Sequence, residues 1–263
     1  MIPAIVCIAK REENYIEEFV KYHLALGFKK IILYDNEDVP TYEKLLSNYR
    51  EYLTVIHFPH NNYNKGVQYV ALDHFIQNIL FNSDITHVAH IDIDEYIVLK
   101  KHNNICEFID EYIVGDCQAI GMNWRYFGSS NKTDYEKLPI TTRFTMCGNQ
   151  GNKHIKTIFK KDKFYSFGTV HEVYFKEGYT KSTSGHLIHG SFNYNIDLSV
   201  IQLNHYKSKT LPEYVNIRRR GRADVASYSE EKIEDVTNDF NAANFNETEC
   251  TYARDFYIKN CLS

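Results

Sequence analysis

Apolar strands alternate with amphipathic helices over residues 4–91, and this pattern constrains the fold of the 263-residue chain more than any other feature. A continuous apolar run from Ala4 to Ala9 predicts a buried parallel strand. Apolar residues at helical spacing from Ile16 to Leu24 predict a helix, which Gly27 is placed to end. Lys30–Asn36 predicts a second strand. Such a β-α-β unit implies a right-handed crossover and a parallel sheet.

The same alternation continues along the chain. The elements that it predicts are a helix over Thr41–Tyr49, a strand over Tyr52–Phe58, a helix over Gly66–Phe81, a strand over Ile85–Ile91, a helix over Ile105–Tyr112 and a strand over Gln118–Phe127. Alternating strands and helices are typical of an α/β fold with a Rossmann-like, mainly parallel sheet and helices on both faces. Ligands of such sheets bind beyond the carboxyl ends of the strands.

The sequence changes character after the last of these strands. From Asn131 to Ser199, short aromatic and β-branched segments are broken by Gly, Asn and Lys, which predicts a small antiparallel region. Ile201–Tyr206 predicts one more strand, and Leu211–Ala223 predicts a helix with a basic face. We therefore expect one α/β domain over residues 1–225 and a helical C-terminal tail over residues 226–263.

Charge and cysteine content exclude several classes of protein. The formal net charge is −4 and the pI is near 6.3, so nucleic acid is not expected as a partner despite the basic run at residues 218–222. The six cysteines are scattered without a CxxC pair, which is typical of a reducing compartment and indicates no zinc site. No window is apolar enough for a transmembrane segment and no signal peptide opens the chain, so we expect a soluble, cytoplasmic protein.

Asp92 and Asp94 follow the apolar strand that ends near Ile91. In an extended chain, alternate residues share a face, so the two carboxylates would project to the same side and repel each other. A divalent cation between them would remove this repulsion, and Mg²⁺ or Mn²⁺ prefers such oxygen ligands and can hold the diphosphate of a nucleotide. The alternative is an acidic strand end that turns into solvent. Lys10 and Asp35 also follow predicted strands, which favours a binding site at this edge.

Several short motifs, which follow one another in the same order, make the sequence resemble glycosyltransferase family 92. The residues that carry the resemblance are Ala9–Tyr15, Tyr22-His23, Gly27, Tyr34–Asn36, Gln68, Asp92–Glu95, Trp124, Phe127–Ser130, Asn204–Ser208 and Arg220–Asp224. The match spans residues 4–225, and its motifs are specific through their order and spacing. Arg11 stands where an Asn is usual, and Asn131 stands where the Phe-Gly-x-Ser motif usually closes with Gly.

The resemblance implies a GT-A fold and an inverting transfer from a sugar nucleotide, with Mn²⁺ or Mg²⁺ as the cofactor. It implies that Asp92 and Asp94 bind the metal and the diphosphate, and that His205 completes the metal site. The alternative for His205 is a half-buried strand histidine that makes one hydrogen bond.

The resemblance and the strand ends together suggest residues that would bind the donor. Base, ribose and sugar hydroxyls would be contacted by Lys10, Glu12, Asp35 and Gln68, although Asp35 would serve equally well as a turn or helix cap. Cationic side chains would neutralise the departing diphosphate, and the candidates are Lys156, Lys207, Arg220 and Arg222. The alternative for these cations is a solvated basic face.

An inverting transfer needs a general base that takes the proton of the acceptor hydroxyl. Glu172 is the preferred candidate, with His171 beside it as an orienting group or alternative base, and Asp134 and Glu95 are the runners-up. The alternative for Glu172 is an ordinary exposed strand residue.

The resulting hypothesis is a metal-dependent inverting hexosyltransferase that uses a UDP-sugar and a glycan or glycoconjugate acceptor. A nucleotidyltransferase for sugar phosphates would want a glycine-rich phosphate loop after the first strand, and residues 10–13 contain no glycine. The other alternative is an inactive carbohydrate-binding module. Oligomeric state is left open, with a homodimer as one option.

Overall fold

The computed structural model describes residues 1–59, 66–219, 221, 223 and 232–262. In chain order its elements are β1 (Pro3–Ala9), α1 (Ile16–Ala25), β2 (Lys30–Asp35), α2 (Tyr42–Leu45), a 3-10 turn (Ser47–Tyr49), β3 (Leu53–His57), α3 (Val67–Phe75) with a π-helical extension (Ile76–Leu80), β4 (His87–His90), β5 (Glu95–Leu99), α4 (Ile105–Tyr112), β6 (Cys117–Tyr126), α5 (Ile140–Arg143), β7 (Met146–Cys147), β8 (Asn152–Lys160), β9 (Phe164–Thr169), β10 (Glu172–Phe175), β11 (Tyr179–Lys181), β12 (Ile201–His205), α6 (Leu211–Arg218), α7 (Ile233–Ala243), β13 (Thr248–Glu249) and α8 (Tyr252–Cys261).

Nine strands of the described chain form one mixed sheet in the order β3-β2-β1-β4-β8-β6-β12-β5, with β11 paired to the first half of β6. Strands β1, β2, β3 and β4 run parallel, and β6 runs parallel to β11 and β12. β8 is antiparallel to both β4 and β6, and β5 is antiparallel to β12. The sequence prediction of an α/β fold with a mixed, mainly parallel sheet is confirmed.

Alternate residues of the central strands face two separate hydrophobic cores. Ile5 of β1 belongs to a buried cluster with Phe19 of α1 and Phe108 of α4. Val6 belongs to a second cluster with Phe75 of α3, on which the β9–β10 hairpin also packs. Full burial of side chains of this size stabilises the fold by about 1.5–3 kcal/mol each. Helices therefore cover both faces, as the continuous apolar runs in the sequence predict.

The connection from β4 to β5 differs from the sequence prediction. The strand predicted to reach Ile91 ends at His90, and Glu95–Leu99, which was not predicted, is a buried strand beside β12. The predicted long helix divides into α3 and its π-helical extension. The predicted antiparallel region holds the β9–β10 hairpin, but β8 belongs to the main sheet.

The C-terminal tail contains the two helices α7 and α8, as predicted, and also the short strand β13, which pairs with β7. Ala253 and Tyr257 of α8 belong to the same buried cluster as α1. The predicted domain boundary at residues 225 and 226 lies outside the described residues. Within the described ranges, no helix is long and apolar enough to cross a membrane.

A buried ion pair joins α5 to α6. Arg143 donates two hydrogen bonds to the Glu213 carboxylate, at 3.1 and 2.8 Å, and Tyr15 donates a third at 2.8 Å. Glu213 also completes a capping box with Thr210 at the start of α6. Burial acts to raise the pKa of Glu213, but the hydrogen bonds from Arg143 and Thr210 outweigh it and hold the pKa below its usual value.

Replacing Arg143 by Met should lower the free energy of unfolding by about 3–5 kcal/mol, because Glu213 becomes a buried charge without its counter-ion. Urea denaturation followed by circular dichroism measures the change. The control is Lys132→Ala, which breaks the exposed Lys132–Glu136 pair and should cost about 0.5 kcal/mol or less. A loss for Arg143→Met as small as that of the control would contradict the structural role of the pair.

Candidate active site

Asp92 and Asp94 lie in the turn between β4 and β5, at the carboxyl end of β4. The prediction that they occupy alternate positions of an extended strand is wrong, because β4 ends at His90. The Asp92 amide donates to Glu95 Oε2 at 2.9 Å, and the Glu95 amide donates to the Asp92 carbonyl at 3.0 Å. The Tyr206 amide donates to the Asp94 carbonyl at 2.8 Å, so the turn is fastened to the end of β12.

The Asp92 carboxylate contacts two polar side chains from other elements. Gln68, at the start of α3, donates from Nε2 to Asp92 Oδ1 at 2.8 Å. The Lys156 ammonium of β8 lies 3.1 Å from Asp92 Oδ2. Burial acts to raise the pKa of Asp92, but the Lys156 charge outweighs it and holds the pKa below its usual value. Asp92 is therefore ionised at neutral pH, and 36% of its side chain remains exposed.

Lys156 and Glu95 form the buried floor of the site. Burial acts to lower the pKa of Lys156, but Asp92 and Glu95 outweigh it and hold the pKa above its usual value. Burial raises the pKa of Glu95 well above its usual value, and the partly opposing Lys156 charge does not reverse the shift. Glu95 Oε1 is buried and accepts no hydrogen bond from the described residues. A completely buried carboxyl whose Oε2 already accepts from the Asp92 amide cannot contact an acceptor hydroxyl, which disfavours Glu95 as the general base.

Asp94 has a different set of neighbours. His205 Nε2, at the end of β12, lies 3.7 Å from Asp94 Oδ1, and the Lys209 ammonium lies 3.7 Å from Asp94 Oδ2. Lys209 was not predicted from the sequence, although it stands only four residues after His205. The available signal was its place beside the Asn204–Ser208 motif. Local sequence offered no indication that its side chain would be completely buried.

A carboxylate oxygen and an imidazole nitrogen suit Mn²⁺, so the chemistry of the Asp94–His205 pair fits a divalent cation. Asp92 lies on the same turn, but its two oxygens already contact Gln68 and Lys156. In the part of the chain that the structure describes, no group of three His, Cys, Asp or Glu side chains is gathered closely enough to hold a metal ion. The structure thus brings together two of the three predicted ligands.

Trp124 lies at the centre of three histidines beside this pair. Its ring is stacked on His154 at 4.9 Å between centroids, and it meets the rings of His205 and His171 edge-on at 4.5 and 5.3 Å. His171 Nδ1 lies 2.8 Å from the Ile155 carbonyl, so Nδ1 carries the proton and Nε2 keeps its lone pair. Burial and, secondarily, the Lys156 charge lower the pKa of His171 to about 4.

Glu172 is engaged within the β9–β10 hairpin. Its Oε1 accepts a hydrogen bond from the Gly190 amide at 2.9 Å, and its Oε2 accepts one from the Tyr174 hydroxyl at 3.1 Å. No described hydrogen bond or ion pair joins Glu172 to Asp92 or Asp94. Asp134 is exposed in a loop and accepts from Thr133. Of the predicted bases, His171 is the one that the structure places against the Trp124 cluster.

The other predicted donor residues lie in several environments. Asp35 is completely buried, and its carboxylate accepts hydrogen bonds from the amides of Glu37, Thr41 and Tyr42. This is the capping role that the sequence allowed as an alternative, and it leaves no exposed atom of Asp35 for a donor. Lys10 pairs with Asp38 at 3.5 Å.

Glu12 is buried in the loop between β1 and α1, and Lys207 is half-buried in the loop after β12. The predicted donor residue Arg220 and its neighbour Arg222 lie outside the described residues.

Comparison with known proteins identifies the family of the chain. The model of glycosyltransferase family 92 matches residues 3–243 of the chain. The chain belongs to glycosyltransferase family 92. The resemblance seen in the sequence motifs is confirmed. No curated protein matches the sequence.

The solved structures that match this family 92 chain share little sequence with it. S. aureus TarS, residues 1–349, is 16% identical, with 61% of this chain and 47% of that chain covered and a TM-score of 0.37. Glucosyl-3-phosphoglycerate synthase from Mycobacterium tuberculosis, in complex with Mn²⁺, UDP-glucose and phosphoglyceric acid, is 12% identical. The match covers 61% of this chain and 57% of the synthase, with a TM-score of 0.35. The chain thus matches about half the length of the TarS fragment.

Both departures from the family 92 pattern fall where the backbone is left-handed. Arg11 has φ 55°, and Asn131 has φ 61°. Asn and Gly adopt this conformation at low cost, whereas a long side chain such as Arg does so at a cost of about 1–2 kcal/mol. The Asn that is usual at position 11 therefore has a conformational reason, and Asn131 is a mild replacement for Gly.

Arg11→Asn should raise the free energy of unfolding by about 0.5–1 kcal/mol, because Asn relieves the left-handed strain of an exposed residue. Chemical denaturation measures the gain. Arg50→Asn is the matched control, since Arg50 is also exposed but has a right-handed backbone with φ −51°, and it should produce no gain. Equal effects of the two substitutions would mean that the strain at Arg11 is not real.

Proposed function

We propose that the protein transfers a hexose from a UDP-sugar to a hydroxyl of a glycan or glycoconjugate, by a metal-dependent and inverting reaction. The observation that carries the proposal is the turn at Asp92–Asp94. It connects β4 to β5 and is hydrogen-bonded to the carboxyl end of β12, and it presents an Asp94–His205 pair beside buried ammonium groups in a chain of glycosyltransferase family 92.

The donor would bind across this turn. Asp94 and His205 would hold the Mn²⁺ ion, with Asp92 on the same turn as a further oxygen ligand or as a partner of the sugar. The ion would supply positive charge to the diphosphate as it departs. Lys156 orients Asp92 through the 3.1 Å contact, and Gln68 fixes its other oxygen, so the carboxylate keeps one direction before the donor arrives.

The acceptor would lie against Trp124, whose contacts connect His205 to His171. His171 is the better general base of the predicted pair, because it is neutral at physiological pH and its Nε2 lone pair is free to accept a proton. Glu172 would instead support the hairpin that carries His171, because both of its oxygens accept hydrogen bonds there.

A thermal-shift panel with UDP-, GDP-, CMP- and dTDP-sugars, with and without Mn²⁺, tests the donor class. One UDP-sugar should raise the melting temperature in a Mn²⁺-dependent way, because it binds only the native state. Asp94→Ala should abolish this shift and keep a cooperative melt, since the Asp94 side chain is partly exposed and its ion pairs with His205 and Lys209 each measure 3.7 Å. The control is Asp116→Asn, which alters an exposed acid that precedes β6 and should leave the shift unchanged.

Other outcomes of the panel would contradict the proposal. Stabilisation by nucleoside triphosphates alone would favour a nucleotidyltransferase, and no shift with any nucleotide would favour a carbohydrate-binding module.

Substitution of the two candidate bases tests the acceptor side. His171→Gln should lower kcat by about 10²–10⁴-fold, the usual contribution of a general base. Because the pKa of His171 is about 4, the acid limb of the pH profile attributable to this group should lie near pH 4, with a plateau above it. Steady-state kinetics with the identified donor measures both effects. Glu172→Gln serves as the comparison, and if it alone abolished turnover, Glu172 and not His171 would be the base.

A further inference from the structure

Lys209 is a buried lysine to which the proposed reaction assigns no role. Its side chain is completely buried. The nearest charged atom is Asp94 Oδ2 at 3.7 Å, and the ring centroid of Tyr15 lies 4.9 Å away. Among the described residues, Lys209 Nζ makes no hydrogen bond. A buried ammonium with three unused donors is costly, because burial removes its hydration without a full replacement.

The backbone at Lys209 is also strained. Its φ is 51°, in the left-handed region that a lysine seldom adopts. The neighbours on both sides enforce this conformation. Ser208 donates from Oγ to the Ala243 carbonyl at 2.8 Å, and Thr210 forms the capping box of α6 with Glu213. Strain that is held in place from both sides is typical of functional positions.

A structural role explains these features poorly. At 3.7 Å, the contact with Asp94 is longer than a hydrogen bond, and Asp94 also has His205 as a neighbour. The fold therefore places an ammonium without a hydrogen bond 3.7 Å from a carboxylate whose side chain is partly exposed. An anionic ligand with several oxygens, bound at this turn, would supply the missing hydrogen-bond acceptors.

We propose that Lys209 binds the diphosphate of the nucleotide donor, so that it stabilises the negative charge on the departing nucleoside diphosphate. The inference rests on the proposed function and adds a residue to it. Lys156 lies on the opposite, Asp92 side of the turn, so the two ammonium groups would flank the diphosphate. Group-transfer reactions are accelerated strongly when fixed positive charges lie where negative charge develops in the transition state.

Titration of the 263-residue chain with UDP and with uridine tests this inference. Lys209→Met should weaken UDP binding at least ten-fold and leave uridine binding unchanged, because uridine has no phosphate. Binding of UDP will be weaker when EDTA replaces Mn²⁺, but the same ratio between wild type and variant should remain, since the contact between ammonium and phosphate does not depend on the ion. Lys209→Arg should retain part of the affinity. Lys161→Met is the matched control, because the Lys161 ammonium donates to the Ser83 carbonyl at 2.8 Å, away from the site, and UDP affinity should not change.

Thermal melts of the ligand-free variants separate binding from folding. Lys209→Met should melt at about the wild-type temperature, because the lost 3.7 Å contact with Asp94 is offset by removal of a buried ammonium that makes no hydrogen bond. A lower melting temperature, or equal losses of UDP and uridine binding, would make Lys209 a structural residue. A loss of UDP affinity only in the presence of Mn²⁺ would overturn direct binding and show that Lys209 acts through Asp94. If the wild type bound no nucleoside diphosphate, the proposed function itself would fail and this inference with it.

Discussion

The compensation of charge around one acidic turn is the interaction on which the site depends. Asp92 has Lys156 beside it and Asp94 has Lys209, and both ammonium groups are buried. Neither lysine would be tolerated in the interior alone, and two adjacent ionised carboxylates would repel each other. The four side chains together form an arrangement near neutrality. Glu95, whose burial favours the protonated form, adds a hydrogen-bonding oxygen to this arrangement without adding a full charge.

The order of strands produces this arrangement. β8 runs antiparallel between β4 and β6, and Ala89 of β4 lies opposite Ile158 of β8. Past Ala89, the chain leaves β4 after His90 and enters the acidic turn. Lys156 stands two residues before Ile158 on β8. Because the two strands are antiparallel, this register brings the Lys156 ammonium to the turn. β12, parallel to β6, ends at His205 opposite Tyr126 and delivers the histidine from the other side.

Local patterns in the sequence predicted the β-α-β part well, because buried parallel strands are continuous apolar runs and their helices have a clear apolar stripe. Contacts between distant segments were less accessible. Lys209 meets Asp94 across more than a hundred residues, and β5 resembles any short apolar run until β12 is placed beside it. For Asp35 the local sequence allowed two roles, because an Asp at this position suits both donor binding and capping. The structure distinguishes the two roles, since the carboxylate accepts hydrogen bonds from three backbone amides.

The Phe127–Ser130 motif shows how a family pattern can record packing between chain segments. Gly128 leaves no room for a side chain, because a Cβ there would lie 2.3 Å from the Phe245 carbonyl oxygen. The amides of Ser129 and Ser130 donate to Asn244 and Asn246 of the tail, at 2.6 and 2.7 Å. Phe245 stacks on Tyr126, whose ring in turn contacts His205. The motif thus fastens the tail to the strand end that supports the Asp94–His205 pair, so the helix-rich tail is connected structurally to the candidate site.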